Sequence, residues 1–144
     1  MRVTDILRHK GNDVATIEPD ATIETASRRL AERGIGALIV SADGSSVLGI
    51  LSERDIVTHL ASVGRNGVDT AVLDVMTREV HTCVPSDSIE DLARTMTESR
   101  VRHIPVVEGG HLGGIISIGD VVKRRLVELE HEREQMQTYI QTGR

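Results

Sequence analysis

Apolar and polar positions along the chain change period in the same order twice. A short extended run over residues 14–17 closes at Pro19 and a second over 80–84 closes at Pro85, where proline ends a ladder but tolerates the approach to a helix. Helices follow. Ile89, Leu92, Ala93 and Met96 keep the i, i+3, i+4, i+7 spacing, and Ile23, Ala26 and Leu30 keep it more sparsely. Next come strand-like runs over 37–40 and 47–51 joined through Asp43-Gly44, matched by 104–107 and 112–116 joined through Glu108-Gly109-Gly110. Both joints read as tight turns. A last helix opens at Ser52 and again at Ser117, so each half is β-α-β-β-α. Neither half has enough core to stand comfortably alone. The expected class is therefore α/β (α+β), two pseudo-symmetric halves packed as one module. The second copy's final helix runs on through Lys123-Arg124-Arg125 to about Ile140, with Val122, Leu126, Leu129, Met136 and Ile140 in three- and four-residue steps that Arg133 interrupts. This extended C-terminal helix is either a packed amphipathic tail or a dimer seam.

The halves are copies. Residues 14–44 superimpose on 80–110 without a gap, placing Thr16 on Thr82, Pro19 on Pro85, Arg28 on Arg94 and Val40 on Val106. One deletion near Ser45 restores the register, after which Gly49-Ile50 falls on Gly114-Ile115, Ser52 on Ser117 and Asp55 on Asp120. The lead-in segments match too: Val3-Thr4-Asp5-Ile6-Leu7 resembles Val72-Leu73-Asp74-Val75-Met76. Residues 61–68, with two glycines and an asparagine, read as the connection. The predicted organisation is a first unit over 1–60, a linker over 61–71, a second unit over 72–127 and a helical tail over 128–144.

Composition restricts the partners. The 144 residues include no Trp, no Phe and only Tyr139 among aromatics, so the core is aliphatic and any bound base needs an aliphatic slot. A net charge of −5 demotes nucleic acid as a partner. No apolar run approaches the ~20 residues that cross a bilayer, and the N-terminus lacks a long apolar stretch, which predicts a cytoplasmic protein with no membrane partner. Cys83 is the single cysteine and falls opposite Ile17 in the repeat, the place of a small buried hydrophobe. Catalytic constellations are absent: there is no phosphate-binding G-x-x-x-x-G-K-[ST] loop, no H-E-x-x-H, no G-x-S-x-G and no C-x-x-C. Gly34-Ile35-Gly36 lacks a third glycine and follows a helix, so it reads as a helix stop. The six histidines show no metal-ligand spacing. No metal, catalytic residue or catalytic cofactor is expected.

What recurs is Gly49-Ile50-Leu51-Ser52-Glu53-Arg54-Asp55 and Gly114-Ile115-Ile116-Ser117-Ile118-Gly119-Asp120. Ser is a favoured N-cap, and an acidic residue three positions on completes a capping box. The same atoms suit a ligand: a helix N-terminus offers amides to phosphate, the hydroxyl adds a donor, and the carboxylate can accept both hydrogens of a ribose diol. With the run Arg102-His103-Ile104-Pro105-Val106-Val107, this repeat resembles a tandem pair of CBS domains, a Bateman module, from Val3 to about Lys123.

The resemblance implies two clefts between the halves that take an adenine nucleotide: AMP, ADP, ATP, NAD or S-adenosylmethionine. Carried over by position, one cleft uses Ser117 for phosphate and Asp120 for ribose, with Thr16, Ile35, Gly36 and Ala37 forming the adenine slot and Arg102 and His103 reaching phosphate. The other uses Ser52 and Asp55, with Arg54 as a phosphate partner, against Thr82, Val101, His103 and Pro105. Because Gly36-Ala37-Leu38-Ile39 stands where the second copy has Arg102-His103-Ile104-Pro105, the clefts are expected to differ in affinity. The functional expectation is a regulatory nucleotide sensor, a homodimer acting in trans on an unidentified target or through its dimer. The competing expectation is a ligand-independent dimerisation or interaction module.

Overall fold

The computed structural model describes residues 1–143. Helix α1 (Val3–Lys10) leads into β1 (Thr16–Ile17), α2 (Ile23–Arg33), β2 (Ala37–Val40), β3 (Gly49–Ser52) and α3 (Glu53–Val63). After short 3-10 turns at Arg65–Asp69 and Val72–Asp74 come α4 (Ile89–Ser99), β4 (His103–Glu108), β5 (His111–Ser117) and α5 (Ile118–Gln141). Local chemistry sets the boundaries. The Thr22 and Ser88 hydroxyls accept from the Thr25 and Asp91 N–H groups to start α2 and α4. Left-handed residues stop them: Gly34 at φ 61° and, in the equivalent place, Arg100 at φ 54°.

In the first half β1 runs parallel to β2 and β3 antiparallel to it. In the second half β4 and β5 form a hairpin, and the predicted extended run over 80–84 is reduced to one parallel bridge of Cys83 with Val106. Glu108 pairs with His111 across Gly109 and Gly110, both at positive φ, as a two-residue hairpin turn requires. The joint at Asp43-Gly44 is not a tight turn, and the predicted strand over 47–51 begins only at Gly49. The Asp43 Oδ1 atom accepts from the Ser45 and Ser46 N–H groups and the Ser46 and Ser41 hydroxyls. Those bonds, the Ser46 N–H first, hold the carboxyl well below its ordinary range, and they turn the chain into its own side chain instead of a ladder.

Two aliphatic cores result, and the lead-in segments are exchanged between them. Val3 and Ile6 of α1 pack with Cys83, Leu92, Met96, Ile104 and Ile116 of the second copy, while Val72 and Met76 pack with Ile17, Leu30, Leu38 and Leu51 of the first. The glycine before each Ser-x-x-Asp step makes room for this exchange. A Cβ on Gly114 would meet Leu7 Cδ2 at 2.6 Å, and one on Gly49 would meet Met76 Sδ at 2.6 Å and the Thr77 carbonyl at 2.7 Å. Cys83 is buried, and burial pushes its thiol up to about 12. The segment after α3 is packed too: Gly67 is buried, and His59 Nε2 lies 3.2 Å from the Gly67 carbonyl and 3.0 Å from the Thr70 hydroxyl.

Ile39 and Pro105, equivalent in the repeat, are fully buried yet belong to neither core. Strand alternation turns them away from Leu38, Val40, Ile104 and Val106, onto the face where the halves meet. On α5 only Val121 is buried, and Val122, Leu126, Leu129, Met136 and Ile140 are exposed.

Candidate functional site

Both Ser-x-x-Asp steps form complete capping boxes. At α3 the Ser52 N–H donates to Asp55 Oδ2 at 2.9 Å and the Asp55 N–H donates to Ser52 Oγ at 3.2 Å. At α5 the Ser117 N–H donates to Asp120 Oδ2 at 2.8 Å and the Asp120 N–H donates to Ser117 Oγ at 3.1 Å. Register ties each box to the strand beside it. Ser52 pairs with Ala37 and Ser117 with His103, while the first helical N–H groups, of Glu53 and Ile118, donate to the Gly36 and Arg102 carbonyls at 3.0 and 2.8 Å. The residues flagged at the strand starts are thereby held at the helix N-termini.

Across the seam the halves meet at Gly36. A Cβ built there would lie 3.5 Å from His103 Cε1 and 3.9 Å from Glu53 Cδ, both ordinary contacts. Burial lowers the His103 pKa below its usual value and the Lys10 charge lowers it further, against the opposing Asp120 and Glu53 carboxylates. Gly36, Glu53, Lys10, Arg102, His103 and Asp120 thus share one electrostatic neighbourhood. Ala37 is buried, Ile35 packs half-buried against the first core, and the Thr16 carbonyl accepts from Arg29 Nη1 at 2.8 Å.

The flagged residues of the other place are more dispersed. Pro105 is fully buried in the seam, Val101 packs against the second core, and Arg54 and Thr82 are exposed. The threonine that reaches Asp55 is Thr77, whose hydroxyl lies 3.3 and 3.5 Å from the two carboxylate oxygens.

Sequence reading missed Lys10. Its Nζ donates to Asp120 Oδ2 at 2.6 Å, and the Ser117 hydroxyl donates to the same oxygen at 2.9 Å. Burial works against ionisation of Asp120, but Lys10 and the Ser117 N–H and hydroxyl outweigh it and lower the carboxyl's pKa. All of these bonds fall on Oδ2, so Oδ1 takes no hydrogen bond among the described residues. Beyond Asp120, a pocket of about 150 Å³ lies between α1 and α5, lined by His9, Lys10, Lys123 and Arg124 over Ile6 and Val127. Among the described residues, no group of three or more His, Cys, Asp or Glu side chains is placed to hold a metal ion, and no helix is long and apolar enough to cross a membrane.

Comparison with known proteins agrees with this architecture. The CBS domain family matches residues 3–62 and 72–127. The CBS domain-containing protein CBSX3, mitochondrial, of Arabidopsis thaliana is 32% identical over 98% of this chain and 72% of its own length. The crystal structure of the CBS-domain containing protein ATU1752 from Agrobacterium tumefaciens superimposes with a TM-score of 0.84 at 45% identity, covering 87% of this chain and 99% of that one. CBSX2, solved in complex with AMP, superimposes with a TM-score of 0.73 at 27% identity over 87% of this chain and 96% of its own. Two copies of one α/β unit with paired capping boxes, matched by the family over both halves, establish that the chain belongs to the CBS-domain family and carries a tandem pair of its domains.

Proposed function

We propose that the chain is a regulatory module that binds an adenine nucleotide, of the AMP, ADP, ATP or NAD kind, beside Asp120, with a weaker place beside Asp55. The observation that carries this reading is the Asp120 constellation: an open Oδ1, the Ser117 hydroxyl at a helix N-terminus, and His103, the strand partner of Ser117, in ordinary contact range of Gly36 from the other half. Oδ1 suits a ribose diol and the α5 N-terminus suits phosphate. Ile35, Gly36, Ala37 and Thr16 then supply the aliphatic slot, and Arg102 and His103 reach the phosphate. CBSX2, similar in fold, holds AMP. At the weaker place Ser52, Arg54 and Asp55 take the corresponding roles, but Thr77 already sits on the carboxylate.

A nucleotide spanning the seam stabilises one arrangement of the halves. It regulates a partner only if its affinity differs between arrangements. The test is thermal unfolding with AMP, ATP, NAD and S-adenosylmethionine, repeated on Asp120→Asn. A ligand at about 100 times its dissociation constant adds roughly 2.7 kcal/mol. A shift with one nucleotide that Asp120→Asn abolishes supports the reading, and no shift in ligand-free protein refutes it. One observation favours the second reading, an interaction module that needs no ligand: the exposed Val122, Leu126, Leu129, Met136 and Ile140 on α5 suit a second copy or a target. A melting temperature that depends on protein concentration but not on nucleotide would select it.

A further inference from the structure

We infer that the groove between α1 and α5 is a phosphate-chain subsite, so that the Asp120 site selects nucleoside di- and triphosphates over the nucleoside, with Lys10 leaving Asp120 for the phosphate. The inference rests on nucleotide binding beside Asp120 and adds what that binding discriminates. Helical spacing builds the groove: Ile6, His9 and Lys10 lie on one face of α1, and Asp120, Lys123, Arg124 and Val127 on one face of α5. Three cations against the single Asp120 carboxylate leave a positive surplus, on a chain whose net charge is −5.

Two of those cations are uncommitted. Among the described residues Lys123 and Arg124 form no ion pair, and the polar contact of the Arg124 guanidinium is the Met1 sulfur, a weak acceptor. A guanidinium and two ammonium groups converging on one pocket match a polyphosphate, which takes charge-assisted hydrogen bonds on several oxygens. The groove also begins at Asp120 itself, so a chain leaving a ribose held there enters it directly. The first copy does not repeat these two cations. Thr58 and His59 stand where Lys123 and Arg124 stand in the repeat, and His59 is held by Gly67 and Thr70.

Lys10 gives the inference its sign. In this structure its ammonium occupies Asp120, so a neutral nucleoside must compete with it, whereas a polyphosphate offers it a new partner. Titration calorimetry of adenosine, AMP and ATP in magnesium-free buffer tests this on the full chain and on Lys10→Met, Lys123→Met and Arg124→Met, with Arg28→Met as a distant control. Wild type is expected to bind ATP at least about tenfold more tightly than adenosine. Lys123→Met and Arg124→Met each lower that ratio severalfold, and Lys10→Met crosses over, weakening ATP and tightening adenosine. Equal wild-type affinities, or ratios that these substitutions leave intact, overturn the phosphate subsite while nucleotide binding stands. If none of the three ligands binds, the nucleotide reading fails and takes the subsite with it.

Discussion

The Ser52–Asp55 and Ser117–Asp120 boxes descend from one sequence and keep one geometry, with amide-to-hydroxyl distances of 3.2 and 3.1 Å. Their surroundings have diverged. The exchanged lead-in places a threonine hydroxyl on Asp55 and an ammonium on Asp120. The second helical position is Arg54 in one and Gly119 in the other, and a Cβ on Gly119 would meet only its own Ser117 Oγ, at 3.6 Å. The capping box therefore supplies a platform common to both copies. The chemistry that separates them comes from side chains outside the box, and those that touch the two carboxylates, Thr77 and Lys10, come from the other copy.

The exchange itself can be broken first. Gly49→Ala forces a Cβ against the Thr77 backbone, whereas at Gly114 the obstacle is the mobile end of Leu7. Overpacking of this kind costs about 1–3 kcal/mol, and chemical denaturation should place Gly49→Ala near the upper end and Gly114→Ala near the lower. Equal losses would mean that the two lead-ins are held alike.

Acid titration sharpens the contrast next. The folded Asp120 pKa lies below its ordinary 3.8, so the stability it contributes is complete above 3.8 and is lost as pH falls through the folded value. Asp120→Asn should flatten that acid limb in urea melts, and Lys10→Met should flatten part of it. His103 also has a folded pKa below its ordinary 6.5. Its contribution is complete above 6.5 and is lost as pH falls below that value, because protonation desolvates a charge beside Lys10 and Arg102. A His103→Gln variant should lose this slope; an unchanged slope would place the titration elsewhere.

The smallest expected effect concerns the matched stops of α2 and α4. Arg100 holds φ 54° where the first copy has Gly34. Arg100→Gly should stabilise by roughly 0.5–1 kcal/mol, the left-handed cost outweighing the added backbone entropy. A loss of stability would show that the Arg100 side chain makes up for its backbone.

Much of this was legible in the sequence because capping and hairpin chemistry is local. Ser52, Asp55, Ser117 and Asp120 lie where their spacing places them, and the α5 helix runs to Gln141 against an expected end at about Ile140. The polar run from Ser41 to Ser46 already held the signal for a side-chain-organised loop, since Asp turns compete with ladders, and the strand beginning at Val47 overlooked it. Lys10 was not legible. It lies 110 positions from Asp120, and only the exchange of α1 onto the second core brings them together. The one hint was the glycine before each box, which a strand has no reason to keep unless another backbone or side chain presses on it.

The central claim is that the two copies are chemically unequal, so that the tight nucleotide place is the one beside Asp120 and the place beside Asp55 is weaker. Titration calorimetry of AMP and ATP into wild type, Asp55→Asn and Asp120→Asn measures this directly. A tight-binding stoichiometry of about one that survives Asp55→Asn and disappears with Asp120→Asn is the predicted result. Two equivalent sites, or binding lost through Asp55→Asn alone, would contradict it.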